Sequence, residues 1–238
     1  MAGPRALGGR AMTDAAGPDG GRVEREKQVA AEAAAGLVED RMTVGLGTGS
    51  TVAHLLPVLA RRSLSVRYVS TSPRTEQAAR ELGLVVEPFE TVVELDLAID
   101  GADQVAPDGW LIKGGGGAHT REKVVAAAAL RFVVIVDSSK LVEALHEPVP
   151  LELLEFGLAA TMRRLGPVAL RDGRRSPDGG LIADYRGPIG DPAALAARLS
   201  ATPGVVEHGL FANDLVSAVV VGRGASAEWS EVGKGLAT

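Results

Sequence analysis

The chain has 238 residues, 46% of them hydrophobic and 3% aromatic, with 30 glycines, no cysteine and a formal charge of -5. That length holds one large domain or two modest ones, and so few rings leave Ala, Val and Leu to fill the core, as where helices pack on a parallel sheet. The missing cysteine excludes a disulfide framework, thiolate metal sites and a thiol nucleophile, and the negative charge argues against a non-specific nucleic-acid binder.

Residues 1–21 are rich in Gly, Ala and Pro, show no helical or strand period and read as a disordered tail. They lack the continuous apolar stretch of a secretory signal. The longest apolar run, Val124 to Val136, is broken by Arg131 and is too short to cross a bilayer, so the expectation is a soluble, cytoplasmic protein that binds no membrane. Over residues 24–40, Val29, Ala33 and Leu37 share one helical face with charges opposite. A strand at Thr43–Leu46 then leads through a glycine turn into a helix at Ser50–Arg61. A strand at Val66–Ser70, a helix at Arg74–Leu82 and a buried strand at Leu95–Ile99 follow. Trp110–Ile112 is short and apolar, Thr120–Leu130 helical, and Phe132–Val136 a continuous apolar strand. Strands alternating with helices of this length imply parallel βαβ units in an open α/β sheet of Rossmann-like layering.

The rhythm changes near Pro148. Residues 148–156 are extended, Gly157–Leu165 is helical, and a weak strand at Val168–Leu170 runs into a loop at 171–180. Leu181–Tyr185 and Val205–Phe211 read as strands around a helix at Asp191–Ser200, with Asp191 at its N-cap and Pro192 at its first position. This is the pattern of a small ferredoxin-like α+β domain. Val216–Val221 is apolar enough to rejoin the first sheet. The expected division is a catalytic α/β domain of residues 22–147 plus 215–238 and a small domain of residues 148–214.

Four segments carry chemistry, each just after a strand, where open α/β sheets bind ligands. Gly45–Thr51 (GLGTGST) offers glycines for close backbone approach, the hydroxyls of Thr48, Ser50 and Thr51, and the free N–H groups of a helix start. It matches neither a dinucleotide fingerprint nor a P-loop, and alone it is equally well a tight turn. Asp100-Gly101-Ala102-Asp103 puts two carboxylates at a strand end, suited to a divalent ion, to sugar hydroxyls, to acid–base work or simply to a turn. Lys113 to Lys123 (KGGGGAHTREK) holds four consecutive glycines, an entropic cost that fits a loop wrapped around a ligand. Glu122 falls in the first turn of the following helix, whose dipole lowers its pKa; service as a base therefore requires burial or a bound dianion to push it back up. Lys140, in Asp137-Ser138-Ser139-Lys140, is placed to close the phosphate end of a pocket or to sit on the surface. His54, His119, His146 and His208 show no metal-ligand spacing, and only His119 lies beside a motif.

Taken together, GLGTGST at 45–51, TSPRTEQA at 71–78, DGAD at 100–103, KGGGGAHTREK at 113–123 and VDSSK at 136–140 resemble the ribose-5-phosphate isomerase A family. The resemblance runs from about Arg22 to Val221. It implies aldose–ketose isomerisation between ribose 5-phosphate and ribulose 5-phosphate without metal or organic cofactor, in a homodimer or homotetramer. Glu122 matches the base that moves a proton between C1 and C2 through a cis-enediolate. Asp100, Asp103 and Lys113 match groups that open the sugar ring and steady the oxyanion. Thr48, Gly49, Ser50 and Thr51, with Gly101, Ala102, Gly114, Gly115, Gly116 and Lys140, match substrate contacts. Gln104 replaces the family's usual Glu and so removes a charge from the cleft edge. Pro177-Asp178-Gly179-Gly180 stands where Asn-Gly-Asn is usual, a difference expected to bear on the small domain's hairpin or a subunit contact rather than on the chemistry. Two rivals remain: an amino-sugar-phosphate isomerase–deaminase, and a sugar-phosphate sensor, against which the lack of a basic recognition helix in residues 1–40 counts.

Overall fold

The computed structural model describes residues 18–233. Helix α1 (Pro18–Ala35) leads to β1 (Thr43–Leu46), α2 (Ser50–Arg61), β2 (Arg67–Ser70), α3 (Pro73–Glu81) and β3 (Leu97–Asp100). A two-rung hairpin, β4 (Gln104–Val105) and β5 (Leu111–Ile112), precedes α4 (His119–Ala128) and β6 (Phe132–Asp137). Then come β7 (Val149–Leu153), α5 (Leu158–Leu165), β8 (Val168–Arg175), β9 (Leu181–Tyr185), α6 (Pro192–Ser200) and β10 (Val205–His208). The chain ends with β11 (Leu210–Phe211), β12 (Ala218–Arg223) and β13 (Ser226–Glu231).

The large sheet runs β13-β12-β6-β3-β1-β2, every pair parallel except β12 with β13. Every residue of β1, β3 and β6 is buried, because helices cover both faces. On one face α1 and α2 pack Ala30, Ala34, Leu55 and Leu59 against Val44, Leu46, Ile99 and Ile135. On the other, Val125 and Ala126 of α4 meet Ala98, Phe132 and Val134, with Phe211 closing the cluster. Each fully buried large aliphatic contributes about 1.5–3 kcal/mol, which makes β6 the anchor of both cores. Strand order reverses at β1, which lies between β2 and β3, so the crevice at the carboxyl ends of β1 and β3 is where this topology opens a binding site.

The small domain follows β-α-β-β-α-β in chain order and forms the antiparallel sheet β10-β7-β9-β8 with its own core of Leu151, Leu153, Leu165, Tyr185, Leu195 and Leu199. Asp191 accepts from the Ala193 N–H and Pro192 opens α6, as the sequence indicates; such a cap stabilises by about 1 kcal/mol. Strand β11 leaves this domain and pairs with β5.

Four differences from the sequence reading exceed the shifts of one or two residues seen at other element ends. Helix α1 begins at Pro18, inside the stretch expected to be tail, because proline fits a helix's first turn; residues 1–17 of that expected tail lie outside the described residues. It stops at Ala35 instead of residue 40 because Gly36 follows, and Val38 turns into the core. Strand β8 continues to Arg175 through the expected loop. The expected strand Val205–Phe211 is two strands in two sheets. Among the described residues no helix is long and apolar enough to cross a membrane.

Candidate active site

At the end of β1 the chain turns through Gly47, Thr48 and Gly49 into α2. The Gly47 N–H donates to Ile99 O and the Thr48 N–H to Asp100 Oδ1, both across the β1–β3 crevice. A Cβ at Gly47 would lie 1.9 Å from the Asp100 carboxyl carbon, so only glycine allows this approach. The first turn of α2 leaves N–H groups free for an anion. The Thr48 hydroxyl is paired with that of Thr71, at 2.7 Å.

Lys113 follows β5 and lies deep between the two motifs, 3% exposed. Its Nζ donates to Gly101 O at 2.6 Å and stands 2.8 Å from Asp100 Oδ2 and 3.1 Å from Glu122 Oε2. The Phe211 ring packs beside it, 5.4 Å from Nζ. Burial pulls the lysine pKa down, but the two carboxylates outweigh it and hold the ammonium charged. One positive charge balances one carboxylate. The second is therefore penalised, and burial pushes Glu122 up from 4.5 to about 7, Lys113 pulling against it and Asp100 adding to the rise. Asp100 is also pushed up by burial, against Lys113 and the N–H groups of Thr48 and Gly101. The helix dipole's downward pull on Glu122 is thus overcome by burial.

These groups surround a cavity of about 120 Å³. It brings together Thr48, Gly49, Ser50, Thr51, Gly101, Ala102, Asp103, Lys113, Gly114, Gly115, Gly116, Glu122 and Lys140, residues far apart in sequence. Asp100 is absent from the lining. It sits behind Lys113, its carboxylate spent on the lysine and on the Thr48 and Gly101 amides. In this arrangement the carboxylate is folded back under the β1 turn, against Lys113. Asp103 lines the cavity and accepts from the Gly115 N–H at 2.7 Å. A larger groove of about 590 Å³ adjoins, between Thr48–Ser50, the start of α3 and Arg174–Pro177 of the small domain.

Two expectations change, and His119 finds its place. Gln104 does not edge the cavity; its side-chain amide bonds the His146 carbonyl and accepts the His146 N–H, a double bond to the backbone that a carboxylate cannot make. His119 is fully buried against Gly114, and burial pushes it down to about 4, so it is a neutral core side chain. The 171–180 segment, expected to act away from the chemistry, reaches the glycine loop: Arg171 donates to Gly114 O and Gly115 O because β8 extends far enough to carry it there.

The sequence reading missed Glu26, which α1 buries instead of presenting to solvent. Burial pushes its pKa up, but hydrogen bonds from Ser138, Gly224 and Arg22 win and hold it at about 2. It fixes the short turn Ser138–Lys140, whose N-cap is Asp137, and so sets where Lys140 starts. It also missed Glu152, which accepts from Thr120 and Ser176 and ties α4 to the small domain.

Residues 67–226 match the family model described as ribose 5-phosphate isomerase A (phosphoriboisomerase A). The chain belongs to the ribose 5-phosphate isomerase A family. It is 48% identical over 205 residues to ribose-5-phosphate isomerase A of Chloroflexus aurantiacus, covering 79% of this chain and 86% of that protein. The namesake of Methanosarcina acetivorans is 45% identical over 213 residues, 83% of this chain and 90% of that one. Among solved structures, ribose 5 phosphate isomerase A from Neisseria gonorrhoeae superposes with a TM-score of 0.83 at 34% identity, over 86% of this chain and 95% of its own. A D-ribose-5-phosphate isomerase in complex with phospho-erythronic acid gives 0.83 at 35% identity, over 88% and 99%. The α/β sheet and separate antiparallel domain expected from the element pattern are therefore those of the family's members.

Proposed function

We propose that this protein interconverts D-ribose 5-phosphate and D-ribulose 5-phosphate by proton transfer through a cis-enediolate. The observation that carries this is Glu122: a carboxylate held at about 7 by burial, beside a charged lysine, in a cavity edged by backbone amides. A carbon acid needs a base whose pKa lies near the working pH and a cation for the oxygen that gains charge. Glu122 takes the proton from C2 of the opened aldose and returns it to C1, while the hydroxyl proton on O2 passes to O1, so that C2 becomes the carbonyl. Lys113 stabilises the enediolate oxygen, supplying the positive charge that other isomerases take from a metal, so no metal or organic cofactor is required. Asp103, at the cavity wall, serves ring opening, with Asp100 holding Lys113 from behind. The start of α2 and the Ser50 and Thr51 hydroxyls hold the phosphate from one side and Lys140 from the other. The phospho-erythronic acid bound by the solved relative supports the reading, since its carboxylate has the planar, anionic form of an enediolate. The same reading makes the protein a cytoplasmic homo-oligomer, dimer or tetramer, acting on a small sugar phosphate without nucleic acid or membrane; its support is family membership.

A coupled assay for ribulose 5-phosphate tests the function. The wild type turns over with chelator present, and Glu122→Gln loses about 100- to 10,000-fold in kcat. Absence of wild-type turnover would overturn the substrate; full activity in the variant would overturn the base.

A further inference from the structure

The small domain grips the catalytic segment 113–123 along its length. Arg121 pairs with Asp178, Thr120 with Glu152, and Lys123 with Glu207. The most directed of these contacts is at the glycine loop. Arg171 Nη1 donates to Gly114 O at 3.0 Å and Gly115 O at 2.9 Å, while its Nε and Nη2 form a two-pronged pair with Asp184 on β9, at 3.0 and 2.7 Å. The ion pair is largely buried, 17% and 11% exposed. Asp184 thus fixes the guanidinium plane, and the guanidinium fixes two carbonyls.

A trans peptide is planar, with each C=O opposed to the next N–H. Turning Gly114 O toward Arg171 therefore turns the Gly115 N–H away from it, and that N–H is found on Asp103 Oδ2. By the same geometry, Gly115 O on Arg171 turns the Gly116 N–H away from that guanidinium, and Gly116 lines the cavity. The Gly117 N–H also donates to Gly114 O at 3.0 Å and Arg174 Nη1 reaches Gly115 O at 3.4 Å, but the glycines have no side chains to restrict the planes further. A charged donor also polarises both peptides and strengthens their N–H groups as donors.

We propose that Arg171 is a positioning residue for the isomerase: it sets the two peptide planes of the glycine loop that connects Lys113 to Glu122 and aims their N–H groups at Asp103 and the substrate. Its kinetic consequence rests on the ribose 5-phosphate reading; its structural consequence does not. The loop joins the oxyanion partner to the base, so its loosening acts on the chemical step more than on the phosphate anchor at α2.

The test combines steady-state kinetics on ribose 5-phosphate with amide hydrogen exchange across residues 113–117 in Arg171→Gln and Arg171→Lys. Arg171→Gln is expected to lower kcat about 10- to 100-fold, the scale of a small misplacement of catalytic groups, with KM within about threefold of wild type by the same reasoning. Exchange at Gly115 and Gly116 rises while the β1, β3 and β6 amides stay protected. Arg171→Lys keeps the charge beside Asp184 but not the fork, and lies between the two. A folded Arg171→Gln or Arg171→Lys with wild-type kcat and unchanged exchange at Gly115 and Gly116 overturns the proposal. Faster exchange throughout both domains would make Arg171 merely structural and overturn it as well. If the wild type fails to turn over ribose 5-phosphate, the exchange result still decides the positioning role.

Discussion

The turn at Gly47–Gly49 grows out of β1, and the large sheet holds it: Ile99 and Asp100 of the neighbouring strand accept its amides. The loop at Lys113–Gly117 grows from a strand of only two residues, and beyond its own Gly117-to-Gly114 turn bond its Gly114 and Gly115 carbonyls accept from Arg171 of the small domain. The first loop needs no partner domain because a parallel sheet, buried on both faces, already fixes the strand that carries it. The second lies where no long strand runs, so its shape is supplied by a separate fold. Lys113 joins the two, through Asp100 on one side and Glu122 on the other. A ferredoxin-like domain thus shapes a Rossmann-like site by holding its loop from the side.

Cutting the link that both loops share has the largest expected effect. Lys113→Met should lower kcat about 100- to 1,000-fold, the scale of losing one oxyanion-stabilising group. It also leaves two carboxylates in a buried site with no counter-charge, so a lower melting temperature accompanies the kinetic loss. A variant with both activity and stability intact would break the comparison at its centre.

The next effect separates the loops by pH. Glu122 must be ionised to accept a proton, so kcat/KM should fall about tenfold per unit below its pKa, near 7, and level off above it. Stability moves the other way. A carboxyl raised from 4.5 to about 7 holds its proton more tightly folded than unfolded; its contribution is fully present below pH 4.5 and lost as pH rises through 7. Glutamine has no such loss. The melting temperature of Glu122→Gln should therefore gain on wild type between pH 5 and pH 8. A constant difference across that range would contradict the assigned shift.

The smallest effect concerns the outer rim of the brace. Arg121 and Asp178 are 40% and 46% exposed, and such pairs contribute about 0–1 kcal/mol. Asp178→Asn should leave kcat within about twofold of wild type and shift thermal unfolding only slightly, less so in high salt. A loss as large as that expected for Arg171→Gln would shift the brace from the loop carbonyls to α4.

Much of the large domain is legible in the sequence because its strands are buried on both faces and its turns carry glycine: Phe132–Val136 and Leu95–Ile99 read as strands on their apolar residues, the second observed as Leu97–Asp100. The ferredoxin-like pattern is legible because Asp191-Pro192 marks a helix start. Strands β8 and β13 are harder. Both are sheet edges whose residues are mostly exposed, so Arg171–Arg175 and Ser226–Glu231 lack the alternation that announces a strand. The placement of the cavity-lining residues follows from their position after strands. The depth of each side chain does not. Asp100 and Asp103 read alike as turn carboxylates, and only the close approach of Gly47 separates the buried one from the one at the wall. Glu26 and Arg171 sit among other charges in helix and hairpin, and their roles depend on partners 112 and 56–57 positions away.

In the proposed reaction Glu122 moves the proton between C2 and C1, and solvent deuterium reports on that step directly. With ribose 5-phosphate in heavy water, the wild type should place deuterium at C2 of the aldose, followed by NMR, while Glu122→Gln binds the sugar phosphate and leaves C2 unlabelled over the same period. Wild-type exchange at C2 in Glu122→Gln would contradict it and assign the base elsewhere.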